Sequence, residues 1–149
     1  MTLKEHLYLK CKDFISQRKS VINEVISEIE ISLQSETKSS AGDKHETGRA
    51  MLQLEREKSG VQLSQIGRIE EVLSKINITK NVNNVSLGSI VYTSQNNYFI
   101  GISAGELQIG NEVFYAISSS TPIGKLLIGK KMGDEVIFKN TKLNILKIV

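Results

Sequence analysis

The sequence predicts an α+β protein in two domains: an N-terminal antiparallel helical hairpin of coiled-coil character, then a mostly antiparallel sheet carrying one short helix. Three observations predict it. Residues 3–36 contain neither Gly nor Pro. Apolar residues recur at three- and four-residue steps through two long segments that end near residue 76. Beyond residue 86 that period shortens towards two, in short β-branched and aromatic runs separated by Gly, Asn and Ser.

The first helix is expected from Leu3 to about Glu36, with Leu7, Cys11, Phe14, Val21, Ile22, Val25, Ile29 and Leu33 on its apolar face. A second is expected from about Glu46 to Ile76. Met51, Leu54, Val61, Gln65, Arg68 and Val72 lie near heptad spacing there, and Leu52, Leu63, Ile66, Ile69, Leu73 and Ile76 widen the stripe. Gly48, Gly60 and Gly67 each weaken this helix by about 1 kcal/mol relative to Ala without ending it. Two such helices joined by fewer than ten residues bury their stripes by folding back on each other. A rod of about 45 to 50 Å results, which would present its tip, residues 38–46, away from the remainder of the chain.

The hairpin domain is placed at residues 1–76 and a joint at 77–86, NITKNVNNVS, where Asn, Thr and Ser accumulate. In the second domain, residues 87–149, SIVYT, YFIGIS, EVFYAIS, DEVIFK and LNILKIV read as five strands. STPIGKLLIGKKMG reads as one helix, with Ser120 or Thr121 as N-cap, Pro122 in the first helical position and Gly129 or Gly133 near its end.

Composition excludes several function classes. Up to residue 80 there are 13 basic and 12 acidic residues, and beyond it 6 and 4, so neither half has the charge of a DNA clamp. There is no Trp, and no aromatic residue between Phe14 and Tyr92, which removes a stacking platform for single strands. No apolar run approaches the roughly 20 residues of a bilayer span, and MTLKEHLYLKCKDF carries charges where a signal peptide is apolar. A cytoplasmic monomer without membrane contact is expected. The single cysteine, Cys11, reads as a small buried hydrophobe.

Candidate chemistry narrows in the same way. Gly124 to Lys131, GKLLIGKK, fits GxxxxGK but has Lys131 where a phosphate loop needs Ser or Thr, and its LLI is helix or core material. His6 and His45 have no second ligand at metal spacing, and Ser118, Ser119 and Ser120 have no partner base. Asp43 and Glu46 remain, in SSAGDKHETGRA between the helices. Asp43 as N-cap with Glu46 reaching back is a capping box, stabilising the helix start by about 1 kcal/mol. Two carboxylates three residues apart also suit a magnesium ion that takes one or two protein carboxylates and fills its other positions with water and phosphate oxygens.

A long helical hairpin with an acidic tip, followed by a small α+β domain, resembles the bacterial Gre transcript-cleavage factors over nearly the whole chain. Gly42, Asp43 and Glu46 match the family's GDxxEN core. Residues 117–136, ISSSTPIGKLLIGKKMGDEV, match its segment of IS, a Ser-Pro-like dipeptide, a short helix and GKxxGDxV. The resemblance implies an FKBP-like second domain without isomerase activity. It also implies a partner, bacterial RNA polymerase, whose secondary channel the hairpin enters. There Asp43 and Glu46 would help hold a magnesium ion shared with the polymerase, beside the 3′ end of a backtracked nascent RNA. Ser120, Thr121 and Pro122 match the loop that seats on the channel rim. On this reading the chain is an accessory factor, and the polymerase is the enzyme. The family continues after the Glu as NAEY, whereas Thr47, Gly48, Arg49 and Ala50 stand here, with Lys44 and His45 between the acids. Relatives of the Gre fold that enter the channel and inhibit or modulate the polymerase without cleavage are the alternative.

Overall fold

The computed structural model describes residues 1–38 and 42–149, and of residues 37, 38 and 42–45 the backbone alone. Two long helices, α1 (Leu3–Lys38) and α2 (Gly42–Ser74), precede six strands and one short helix: β1 (Ile90–Thr93), β2 (Asn97–Gly101), β3 (Gly105–Ile109), β4 (Glu112–Ser118), α3 (Pro122–Leu127), β5 (Glu135–Phe138) and β6 (Thr141–Ile148). The two-domain α+β class expected from the sequence is the class observed. The chain divides into two compact units, Ile15–Glu70 on one side and Met1–Phe14 with Glu71–Val149 on the other.

Within Ile15–Glu70 the helices run antiparallel. Lys19 pairs with Glu70 at 3.1 Å and Glu30 with Arg56 at 3.3 Å, and a Cβ built on Gly48 would stand 3.7 Å from the Glu36 carboxylate. Moving up α1 therefore moves down α2. The seam differs from the expected one. On α1 it runs through Ile15, Ile22, Ile26, Ile29 and Leu33, while Val21 and Val25 are exposed. On α2 it runs through Leu52, Ser59, Leu63 and Ile66, whereas Met51, Leu54 and Val61 are about 60% exposed. The stripe expected to widen the α2 face is thus the contact itself. Two apolar heptads one residue apart compete there, and the one rich in Leu and Ile buries more area per side chain than the one interrupted by Gln65 and Arg68.

The six-stranded sheet has the order β3-β4-β2-β1-β6-β5. Four neighbouring pairs are antiparallel, and β2 and β4 are parallel. The sequence reading gives five strands and passes over β3. GELQI buries Leu107 while Gly105, Glu106 and Gln108 are exposed, the composition of a polar edge strand. The β5–β6 connection turns on Lys139 and Asn140, both at positive φ (49° and 62°), as a two-residue primed hairpin requires.

The central strand β2 is buried from Tyr98 to Gly101 because it is covered on both faces. Tyr98 and Ile100 join Val91, Ile123, Leu127, Val136, Leu143 and Ile145 in one cluster, which α3 closes. Gly101, on the alternate face with Phe99, meets Ile76: a Cβ there would stand 2.9 Å from Ile76 Cδ1 and 3.8 Å from Phe99. Gly88, at φ 90°, leaves the same space for Ile76 Cγ2. Among the described residues no helix is long and apolar enough to cross a membrane.

Candidate functional site

The hairpin tip holds the first pair of candidate residues. Expected as a capping residue ahead of the helix, Asp43 is instead its second residue, because α2 begins at Gly42; Glu46 is its fifth. Glycine is tolerated at a helix start, where the first N–H groups have no intrahelical acceptor in any case. The Glu46 side chain is exposed, and the Asp43 side chain lies outside the described residues. Among the described residues no three His, Cys, Asp or Glu side chains gather as a metal centre. Sequence reasoning passed over Glu36, which the antiparallel pairing brings to the first turns of α2 beside Gly48. Its signal was available as an acid within a few residues of the tip on the opposite helix.

The second candidate, the segment from Ser118 to Gly133, is built in detail by its own hydrogen bonds. Thr121 is the N-cap of α3, at φ −70° and ψ 158°, and its Oγ1 accepts the Gly124 N–H at 3.1 Å. The same hydroxyl donates to the Ser118 carbonyl oxygen at 2.7 Å. Pro122 follows in the first helical turn, where its missing N–H costs nothing and its fixed φ suits the helix. Ser118 Oγ accepts the Ser120 N–H at 3.1 Å and lies 2.7 Å from Ser120 Oγ, and the Ser118 N–H donates to Ser103 Oγ at 3.2 Å. Of the two capping candidates Thr121 takes the role, and Ser120 is left exposed with its hydroxyl tied to Ser118.

Gly124 has no room for a side chain: a Cβ there would collide with the Ser118 carbonyl oxygen and come within 2.8 Å of Thr121 Oγ1. Residues Gly124 to Leu127 are helical, with Ile123 and Leu127 buried in the core, so the GxxxxGK pattern cradles no phosphate here. After α3, Gly129 at φ 80° donates its N–H to the Val85 carbonyl at 2.8 Å, and the Val85 N–H donates to Lys130 at 2.8 Å. The Lys131 N–H donates to the Asp134 carboxylate at 2.8 Å. Leu126, Ile128 and Met132 are exposed around this frame, at 36%, 40% and 69%. The segment thus combines a hydrogen-bonded polar loop with exposed apolar side chains, a mixture of the kind found at protein-docking surfaces.

No family model and no curated protein matches the chain. Among solved structures it is similar to the crystal structure of GreA factor homolog 1 (Gfh1) of Thermus thermophilus, at 20% identity and a TM-score of 0.35, over 91% of this chain and 92% of that one.

Proposed function

We propose that the chain is an accessory factor of bacterial RNA polymerase, whose hairpin enters the secondary channel and stimulates the polymerase's own cleavage of backtracked RNA. One observation carries the reading. Residues 117–136, which resemble the Gre-family segment, run from the end of β4 through α3 into β5, and within them Thr121, Pro122 and Gly124 each meet a specific geometric demand. In this proposal Ser120, Thr121 and Pro122 seat on the channel rim, and Leu126, Ile128 and Met132 add apolar contact.

At the tip, Asp43 and Glu46 supply oxygen donors in the first turns of α2, the donor type that magnesium prefers. Magnesium, when held between factor and polymerase, supplies Lewis-acid stabilisation of the charge that develops at the scissile phosphate. The chain's own contribution is to carry two carboxylates to that place on a helix of 33 residues, about 50 Å long.

The test adds the protein to a stalled elongation complex of its cognate polymerase and follows the 3′ end of the RNA. Shortened RNA is expected with the wild type and none with Asp43→Asn/Glu46→Gln, while both stay bound. Equal behaviour of the two bound proteins overturns the assignment. A second reading, a channel regulator that inhibits without cleavage, is favoured by Thr47, Gly48, Arg49 and Ala50, which leave the tip without the family's further acid and aromatic. It predicts inhibition that survives the tip substitutions and is lost with Ser120→Asp.

A further inference from the structure

In the unit formed by Met1–Phe14 and Glu71–Val149, a cavity of about 210 Å³ is lined by Lys4, Lys75, Asn77, Lys80, Ser86 and Ser89. Lys4 is the unusual member. It is 4% exposed, its ammonium donates to the Lys80 carbonyl oxygen at 2.8 Å, and among the described residues it forms no ion pair. Buried ammonium groups are ordinarily paired with an acid, since leaving water is costly for an isolated charge. Burial alone pushes the Lys4 pKa down. An ammonium has three donors, and the Lys80 carbonyl takes one.

The other charged residues of the lining, Lys75 and Lys80, have the same sign, and the apolar Val82 and Leu87 complete it. Lys75 meets Glu71 only at 3.7 Å, with both side chains about two-thirds exposed, a pair too loose and solvated to neutralise it. Lys80 has no ion pair among the described residues. Asn77 spends its Oδ1 on the Thr79 N–H and hydroxyl, which leaves its NH₂ as the group to offer. Ser89, 1% exposed, is fixed in place as acceptor of the Ser86 N–H at 3.0 Å. The lining offers three ammonium groups and an amide donor with no carboxylate, in a space below the roughly 300 Å³ at which drug-sized ligand pockets begin.

We propose that this cavity binds a small phosphate-bearing anion through Lys4, Lys75 and Lys80. A dianionic phosphate group matches the lining in charge and in acceptor number, and it supplies the counter-charge that Lys4 lacks. The ligand is either inorganic phosphate or the phosphate group of a small phosphorylated compound.

The test titrates the full chain with inorganic phosphate, adenosine monophosphate and ATP in turn, at constant ionic strength in sodium chloride, by calorimetry and amide chemical shifts. One-to-one saturable binding is expected, with shifts centred on Lys4, Asn77, Ser86 and Ser89. The tightest of the three ligands decides between free phosphate and a phosphorylated compound. Lys75→Gln/Lys80→Gln, at exposed positions, should weaken binding about tenfold or more. Lys142→Gln, on β6 in the Glu135 pair, should leave it unchanged. Phosphate should raise the melting temperature of the wild type but not of Lys4→Met. Shifts that never saturate, or equal binding by wild type and the double variant, overturn the proposal, and the double variant decides even if Lys4→Met does not fold.

Discussion

Thr121 and Gly124 hold each other in place at the start of α3. The Thr121 hydroxyl accepts the Gly124 N–H at 3.1 Å and donates at 2.7 Å to the Ser118 carbonyl oxygen, the same oxygen that closes the space above Gly124. Thr121→Val keeps the shape and removes both bonds, so a loss of about 1 kcal/mol is expected. Gly124→Ala forces backbone apart and should cost more, about 2 to 3 kcal/mol. Ser120→Ala, at an exposed position, should stay within about 0.5 kcal/mol. Urea unfolding of the three variants ranks them. A ranking with Ser120→Ala as the most harmful would contradict this geometry.

The helical seam makes a second prediction. Ile66 is fully buried and Val61, five residues earlier on the same helix, is 59% exposed. Ile66→Ala should therefore cost about 2 to 4 kcal/mol and Val61→Ala less than about 0.5. Thermal unfolding followed by circular dichroism at 222 nm separates them. The Lys19–Glu70 pair is about 40% exposed on both sides, and its removal by Lys19→Met should change stability by less than about 1 kcal/mol.

That contrast also marks how far the sequence could be read. Helix lengths and the turn-back were legible because a 36-residue segment without Gly or Pro has few other solutions. The seam was not, since Val61 and Ile66 belong to two overlapping heptads and only the partner helix chooses between them. In the sheet, β1, β2, β4, β5 and β6 announced themselves by β-branched and aromatic residues. Edge strand β3 did not, because Glu106 and Gln108 face water and one apolar face of Leu107 suffices to hold it. Pro122 marked the start of α3, and the choice between Ser120 and Thr121 as its cap, open in the sequence, falls to Thr121, since capping is local chemistry. The buried Lys4 had no sequence signature, as its burial comes from residues more than seventy positions away.

Ile76 and Gly101 supply a third prediction by double-mutant cycle. A Cβ at Gly101 would lie 2.9 Å from Ile76 Cδ1, an atom that Val lacks. Gly101→Ala and Ile76→Val should each cost about 1 kcal/mol alone. Together they should cost less than their sum by about 0.5 to 1 kcal/mol, because the shortened side chain vacates the space the new methyl needs. Strict additivity in urea unfolding would show that the two residues do not share this space.

Cys11 ties the fold to pH. The side chain is buried, and burial pushes its thiol up from about 9 to about 12. The unfolded chain therefore loses this proton first as pH rises. Below about pH 9 both states hold it and the neutral thiol's burial is fully stabilising; between about pH 9 and 12 the unfolded thiolate is favoured and that contribution is lost. Lys4, its pKa lowered by burial, works in the opposite direction as pH approaches its unfolded value, and Tyr92 is raised by burial and by the Glu112 carboxylate. Comparison with Cys11→Ala cancels both of these terms. The stability difference between wild type and Cys11→Ala, measured by urea unfolding, should be constant from pH 7 to about 8.5 and should move in favour of the variant from pH 9 to 10.5. At pH 8 the native thiol should react with iodoacetamide only at the rate at which this unit opens, and added urea should speed the reaction. Fast labelling in native buffer, or a difference that stays flat to pH 10.5, would show that Cys11 is reached by water in the folded protein.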